Sequence, residues 1–172
     1  MIYPTASDIL RCVERNLAAI SDDDTPRTAI KSTLATSRHL LRHVDLRLSI
    51  EKPILLDDID KASELLGKVA TYLASQGGES SALAHSVRAV IEEAPQLLSK
   101  APEEMDNIVH RAKALREQIY VSLAHLQKLP ADAQATKAYG EIRDLIRAYM
   151  RYQIEQEARL IDPAFAGKGP RR

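Results

Sequence analysis

Residues 59–73 read IDKASELLGKVATYL. Ile59, Ala62, Leu66, Val69 and Leu73 recur at steps of three and four, which places them on one face of an α-helix. A half-buried strand would need every second residue to be apolar, and this stretch does not alternate. Asp57, Asp58 and Asp60 crowd its start, where the helix macrodipole favours acids. Gly77-Gly78 ends it, and so tight a link predicts an antiparallel helical hairpin.

The same period continues in both directions. Upstream, Ile30, Leu34, Leu41, Val44 and Leu48 form the inward stripe of a helix capped by Thr25 and opened by Pro26. That helix is expected to stop near Lys52, because the residue before Pro53 is pushed out of the α region. Before the polar break at Ser21-Asp22-Asp23-Asp24, a first helix opens at Thr5 or Ser7 and turns Ile9, Val13, Leu17 and Ile20 inward. Downstream, a helix from Ser80 or Ser81 carries Leu83, Val87, Val90 and Ile91, with Pro95 expected to kink or end it before Leu97-Leu98 packs a short extra turn. Pro102 opens a fifth helix that buries Met105, Ile108, Ala112, Leu115, Ile119, Leu123 and Leu126 and stops at Pro130. A sixth covers about 132–161, with Ile142, Leu145, Ile146, Tyr149 and Leu160 inward and Gly140 as a weak point. Six amphipathic helices joined by short loops predict an all-α, up-and-down bundle. It forms one domain over residues 1–161, followed by a flexible tail over 162–172.

Composition agrees with this and removes several chemistries. The 172 residues carry 24 basic and 24 acidic side chains, a net charge of zero, which excludes a polyanion-coating protein. With no Trp and one Phe there is no aromatic platform for stacking bases, so nucleic acid is not an expected partner. Cys12 is the single cysteine, so no internal disulfide forms, as suits a reducing cytoplasm. Asp8 precedes the first base, Arg11, unlike a signal peptide, and no apolar run is long enough for a membrane span. The expected compartment is the cytoplasm.

The chemistry-bearing residues are few. His39 and His43 lie four apart on one helical face, together with Leu46 and Ile50. That face is roughly 180–220° round the helix from Ile30, at about 100° per residue. It reads first as a second packing or dimer face, with Leu46 and Ile50 as interface residues. Alternatively, His39 and His43 supply half of a metal or haem site. No Glu has a His three residues on, so the di-iron bundle pattern is absent, and so is H-E-x-x-H. His110 and His125 fall off the apolar stripe of their helix and read as surface residues. Arg143, Arg147 and Arg151 form a second feature at four-residue steps, and Arg38 and Arg42 repeat it. They fit a solvated, ion-laced face, or binding of a phosphate, carboxylate or nucleotide tail. Tyr149 belongs to the apolar arc, where its hydroxyl needs a partner and could line a ligand. The nucleophile elbow, the P-loop and the dinucleotide fingerprint are all missing. No catalytic residue and no cofactor is assigned.

Pro4-Thr5-Ala6 followed by Ile9-Leu10 and Val13 resembles the opening of an uncharacterised bacterial helical family encoded beside acyl-CoA dehydrogenases. The resemblance covers about ten residues and implies an accessory role, with a protein partner, in acyl-CoA-linked metabolism. The expectation is a non-catalytic interaction protein that acts as a homodimer. The alternatives are a binder of an acyl-CoA-like or nucleotide anion and a histidine metal site.

Overall fold

The computed structural model describes residues 6–18, 20, 27–99 and 105–165. All regular structure among them is helical: α1 Ala6–Ala18, α2 Arg27–Gln76, α3 Gly78–Ser99, α4 Met105–Leu126, α5 Ala131–Gln134 and α6 Lys137–Phe165. The expected caps at Thr5, Thr25 and Pro26, the opening at Pro102 and the tail beyond 165 lie outside the described residues.

Three boundaries differ from expectation. The second and third predicted helices are one, because α2 runs through Pro53. Proline removes the hydrogen bond to the Ser49 carbonyl, yet Ser49 and Pro53 are both exposed, so water can take that carbonyl and the helix continues. Likewise α3 runs past Pro95 to Ser99. Conversely, the sixth predicted helix is two. The Thr136 hydroxyl accepts the Tyr139 N–H at 3.2 Å, an N-cap that starts α6 afresh after the single turn of α5. Gln134 Nε2 donates to the Leu129 carbonyl at 2.6 Å and ties α5 back to the end of α4.

The chain divides into two compact units, where the sequence suggested one bundle. The first comprises Pro53–Ile154: the second part of α2, then α3, α4, α5 and most of α6. Its core takes Ile59, Ala62, Leu66, Val69 and Leu73 from α2, and Ala84 and Val87 from α3. Ile108, Leu115 and Leu126 come from α4, and Ile142 and Ile146 from α6. Covering each such aliphatic side chain contributes about 1.5–3 kcal/mol. Leu145, expected inside, is 37% exposed. The α2–α3 hairpin turns on Gly77 and Gly78, whose φ values of 71° and 53° suit residues without a Cβ.

The second unit comprises residues 2–52 and 155–172, so it holds α1, the first part of α2 and the end of α6. Ile9, Val13, Val44 and Leu160 are buried in it. Leu17, expected inside, is exposed. The first part of α2 is turned relative to the expected stripe. Ser37, His43, Val44 and Arg47 are buried, whereas Leu34, Leu41 and Leu48 face outward.

Candidate functional site

The first unit contains a buried polar network. Asp58, on α2, has a side chain only 1% exposed. One carboxylate oxygen accepts Arg116 Nε of α4 at 2.8 Å, and the other accepts the Tyr149 hydroxyl of α6 at 2.9 Å. Gln153 Nε2 donates to the Tyr149 oxygen at 3.0 Å. One carboxylate thus joins three helices, and both its oxygens are satisfied, as a charge buried this deeply requires. Burial, then the negative charge of Asp58, pushes the Tyr149 phenol far above its ordinary range, so it stays a neutral donor. The acidic run at residues 57–60, expected at a helix start, lies in mid-helix, and its buried member is the hub of this network.

Next to the network a cleft of about 270 Å³ runs between α2 and α6, with Leu65, Leu145 and Ala148 as its apolar lining. Tyr149 and Tyr152 line it as well, and Lys61, Glu64 and Lys68 stand at its rim. The rim groups serve one another. Tyr152 donates to Asp57 at 2.6 Å, Lys61 bonds the same carboxylate, and its ammonium lies 4.7 Å above the Tyr152 ring. Burial, followed by the bond to Asp57, raises the Tyr152 phenol too. Lys68 bonds Glu64 at 2.6 Å. The cleft therefore offers apolar surface and two neutral phenols, with no free base and no unbalanced charge.

Two of the expected arginines have partners on their own helix. Arg143 lies over the Tyr139 ring at 5.7 Å, Arg147 bonds Asp144 at 3.1 Å, and Arg151 is exposed. Arg38 and Arg42 are exposed on α2. Tyr149 has its predicted partner, but the partner is Asp58. His43 is buried and bonds the Leu160 backbone, while His39 is half-buried. Burial first, then the Arg47 guanidinium, holds the His43 imidazole below its ordinary value, against the raising effect of the Leu160 bond. Arg47 itself is buried and pairs with Glu51 at 3.3 Å. No group of three metal-ligating side chains occurs among the described residues, so His39 and His43 find no third ligand there. Leu46 and Ile50 are half-buried at the edge of the covered face.

The sequence reading missed two features. Ser80, in the first turn of α3, meets His125 Nε2, in the last turn of α4, at 2.8 Å. His125 is thus half-buried and engaged, contrary to its expected surface position. A serine and a base at this distance have the spacing of a nucleophile pair, but Ser80 is buried. The α3–α4 hairpin brings the two residues together, and pairing the helix ends would have shown it. The second missed feature is the outer face of α2. Leu34, Leu41 and Leu48 are 48%, 47% and 76% exposed. Seven residues make two helical turns less about 20°, so the three leucines form a straight ridge.

Comparison of the chain with known protein families, with curated proteins and with solved structures found no match.

Proposed function

We propose that this chain is a non-catalytic interaction protein that works as a homodimer, with the leucine ridge of α2 as its contact surface. The ridge carries the reading. Scattered apolar side chains are ordinary on a protein surface, but three leucines at seven-residue steps make the kind of row that helices use to pair. This ridge takes the place of Leu46 and Ile50, which are half-buried. The chemistry of the first unit fits the same reading, because Asp58, Tyr149 and Arg116 spend their hydrogen bonds on one another. The N-terminal resemblance supports a place beside acyl-CoA metabolism. A second reading, a small amphipathic ligand in the α2–α6 cleft, is favoured by its apolar lining and the Tyr149 and Tyr152 phenols, with a bound carboxylate having to draw Lys68 away from Glu64. Saturable binding of a short-chain acyl carboxylate that Lys68→Ala weakens would support it.

Sedimentation equilibrium of the purified chain over about 1–100 µM tests the main reading, since self-association follows mass action. The expected mass rises towards twice the 19.1 kDa of one chain. A mass that stays at one chain throughout overturns it.

A further inference from the structure

The ridge carries more than leucine. Lys31, Leu34, Arg38, Leu41, Asp45, Leu48 and Lys52 follow one another at alternating steps of three and four. The spacing is that of a two-stranded helical seam, with leucine in one set of positions and charge in the other, where a seam is ordinarily apolar and polar side chains set register and orientation at a cost in stability. Arg38 and Asp45 are both exposed, and neither has an ion pair within the chain among the described residues. Nearby acids and bases elsewhere on α2 do pair, as Arg47 with Glu51 and Lys61 with Asp57.

We propose that two copies of the chain pair antiparallel along this ridge, with the two-fold axis at Leu41 and with Arg38 of each copy against Asp45 of the other. The inference rests on the homodimer reading and adds the partner's orientation. Leu41 then meets its own copy. Leu34 and Leu48, seven residues to either side, meet each other. Arg38 lies three residues before the centre and Asp45 four after it, so they fall opposite within one residue. A two-fold interface is self-complementary in this way, each contact occurring twice. Parallel pairing would instead set Arg38 on Arg38 and Asp45 on Asp45, which like-charge repulsion opposes. Lys31 and Lys52 fall opposite at the outer ends, where long side chains can turn their ammonium groups to water.

Cysteine crosslinking of the full chain tests the orientation. In a Cys12→Ser background, Leu34→Cys and Leu48→Cys are made separately and treated with a short bismaleimide, alone and after mixing. Antiparallel pairing holds the two copies of residue 34 about 21 Å apart along the axis, at 1.5 Å per residue. Each variant alone should therefore stay uncrosslinked, and the mixture should give a crosslinked dimer. Crosslinking of either variant alone overturns the antiparallel arrangement while leaving a dimer in place. A mixture that sediments as a dimer yet does not crosslink overturns pairing along the ridge. A chain that sediments as a monomer overturns the homodimer reading as well, so the two failures are distinct. As a second check, Arg38→Asp should weaken dimerisation at least several-fold, and adding Asp45→Arg should restore it. An unchanged dissociation constant in Arg38→Asp contradicts the Arg38–Asp45 contact.

Discussion

Replacing Asp58 by Leu removes the acceptor that Arg116 and Tyr149 share, leaving the Arg116 guanidinium, 17% exposed, with no carboxylate. Breaking a buried pair from one side typically costs about 3–5 kcal/mol, because the surviving charge is left uncompensated. Arg116→Met does the reverse and strands the Asp58 carboxylate, which is 1% exposed, at a similar cost of about 3–5 kcal/mol. If the two losses were independent, the double variant would lose roughly 6–10 kcal/mol, about the whole stability of a domain. With both charges gone, neither desolvation penalty remains, and only the Tyr149 donor lacks its acceptor, at about 1–3 kcal/mol. The double variant should therefore be no less stable than the worse single variant. Urea unfolding of the wild type, both single variants and the double variant, followed by far-ultraviolet circular dichroism, measures the cycle. Simple additivity would refute the argument that Asp58 and Arg116 form one electrostatic unit. Single losses below about 1 kcal/mol would refute it too, since exposed pairs behave that way.

His43 sets a pH dependence. Its imidazole is held below the ordinary value of 6.5, chiefly by burial and then by Arg47, so the folded chain favours the neutral form. The contribution is complete above the unfolded value and is lost as pH falls below about 6.5. Glu51, raised by burial against the pull of Arg47, opposes this, because a raised carboxylate adds stability as pH falls. Thermal melts from about pH 8 to about pH 5.5 should show falling stability, with a shallower fall in His43→Gln. Equal slopes would contradict the assignment. Pro53→Ala restores an N–H to the Ser49 carbonyl within α2 and should stabilise by up to about 3 kcal/mol in urea melts. A loss would show that the proline is needed where the two units divide. Gly140→Ala, whose added Cβ meets nothing within 4 Å, should gain about 1 kcal/mol. Gly77→Ala, at φ 71°, should instead lose about 1 kcal/mol in the same melts. The opposite pair of signs would contradict both backbone assignments.

The helices were legible because the apolar period survives in every segment, and the stripe of residues 59–73 is buried as its spacing demands. Boundaries at proline were less legible. The penalty at Pro53 depends on whether water reaches the Ser49 carbonyl, and sequence does not display exposure. The first part of α2 was misread for a different reason. It has apolar residues on two faces, and period alone does not say which is covered. The covered face takes His43 and Arg47 because the Leu160 backbone and Glu51 meet their polar atoms. Three leucines are left outside. Asp58 looked like a helix-start acid because its partners are 58 and 91 residues away. Such a network is set by which helices pack together, and a local pattern leaves no trace of it. The arginine stripe was legible as a pattern, but the contacts of Arg143 with the Tyr139 ring and of Arg147 with Asp144 were not.

The most direct test of the ridge compares the wild type with a Leu41→Asp, Leu48→Asp variant by sedimentation equilibrium, with circular dichroism as a check on helix content. Both positions are exposed, so the variant should keep its helices. The account predicts a wild-type mass near twice 19.1 kDa and a variant mass near 19.1 kDa. A variant that still sediments as a dimer, with the same affinity as the wild type, would contradict it.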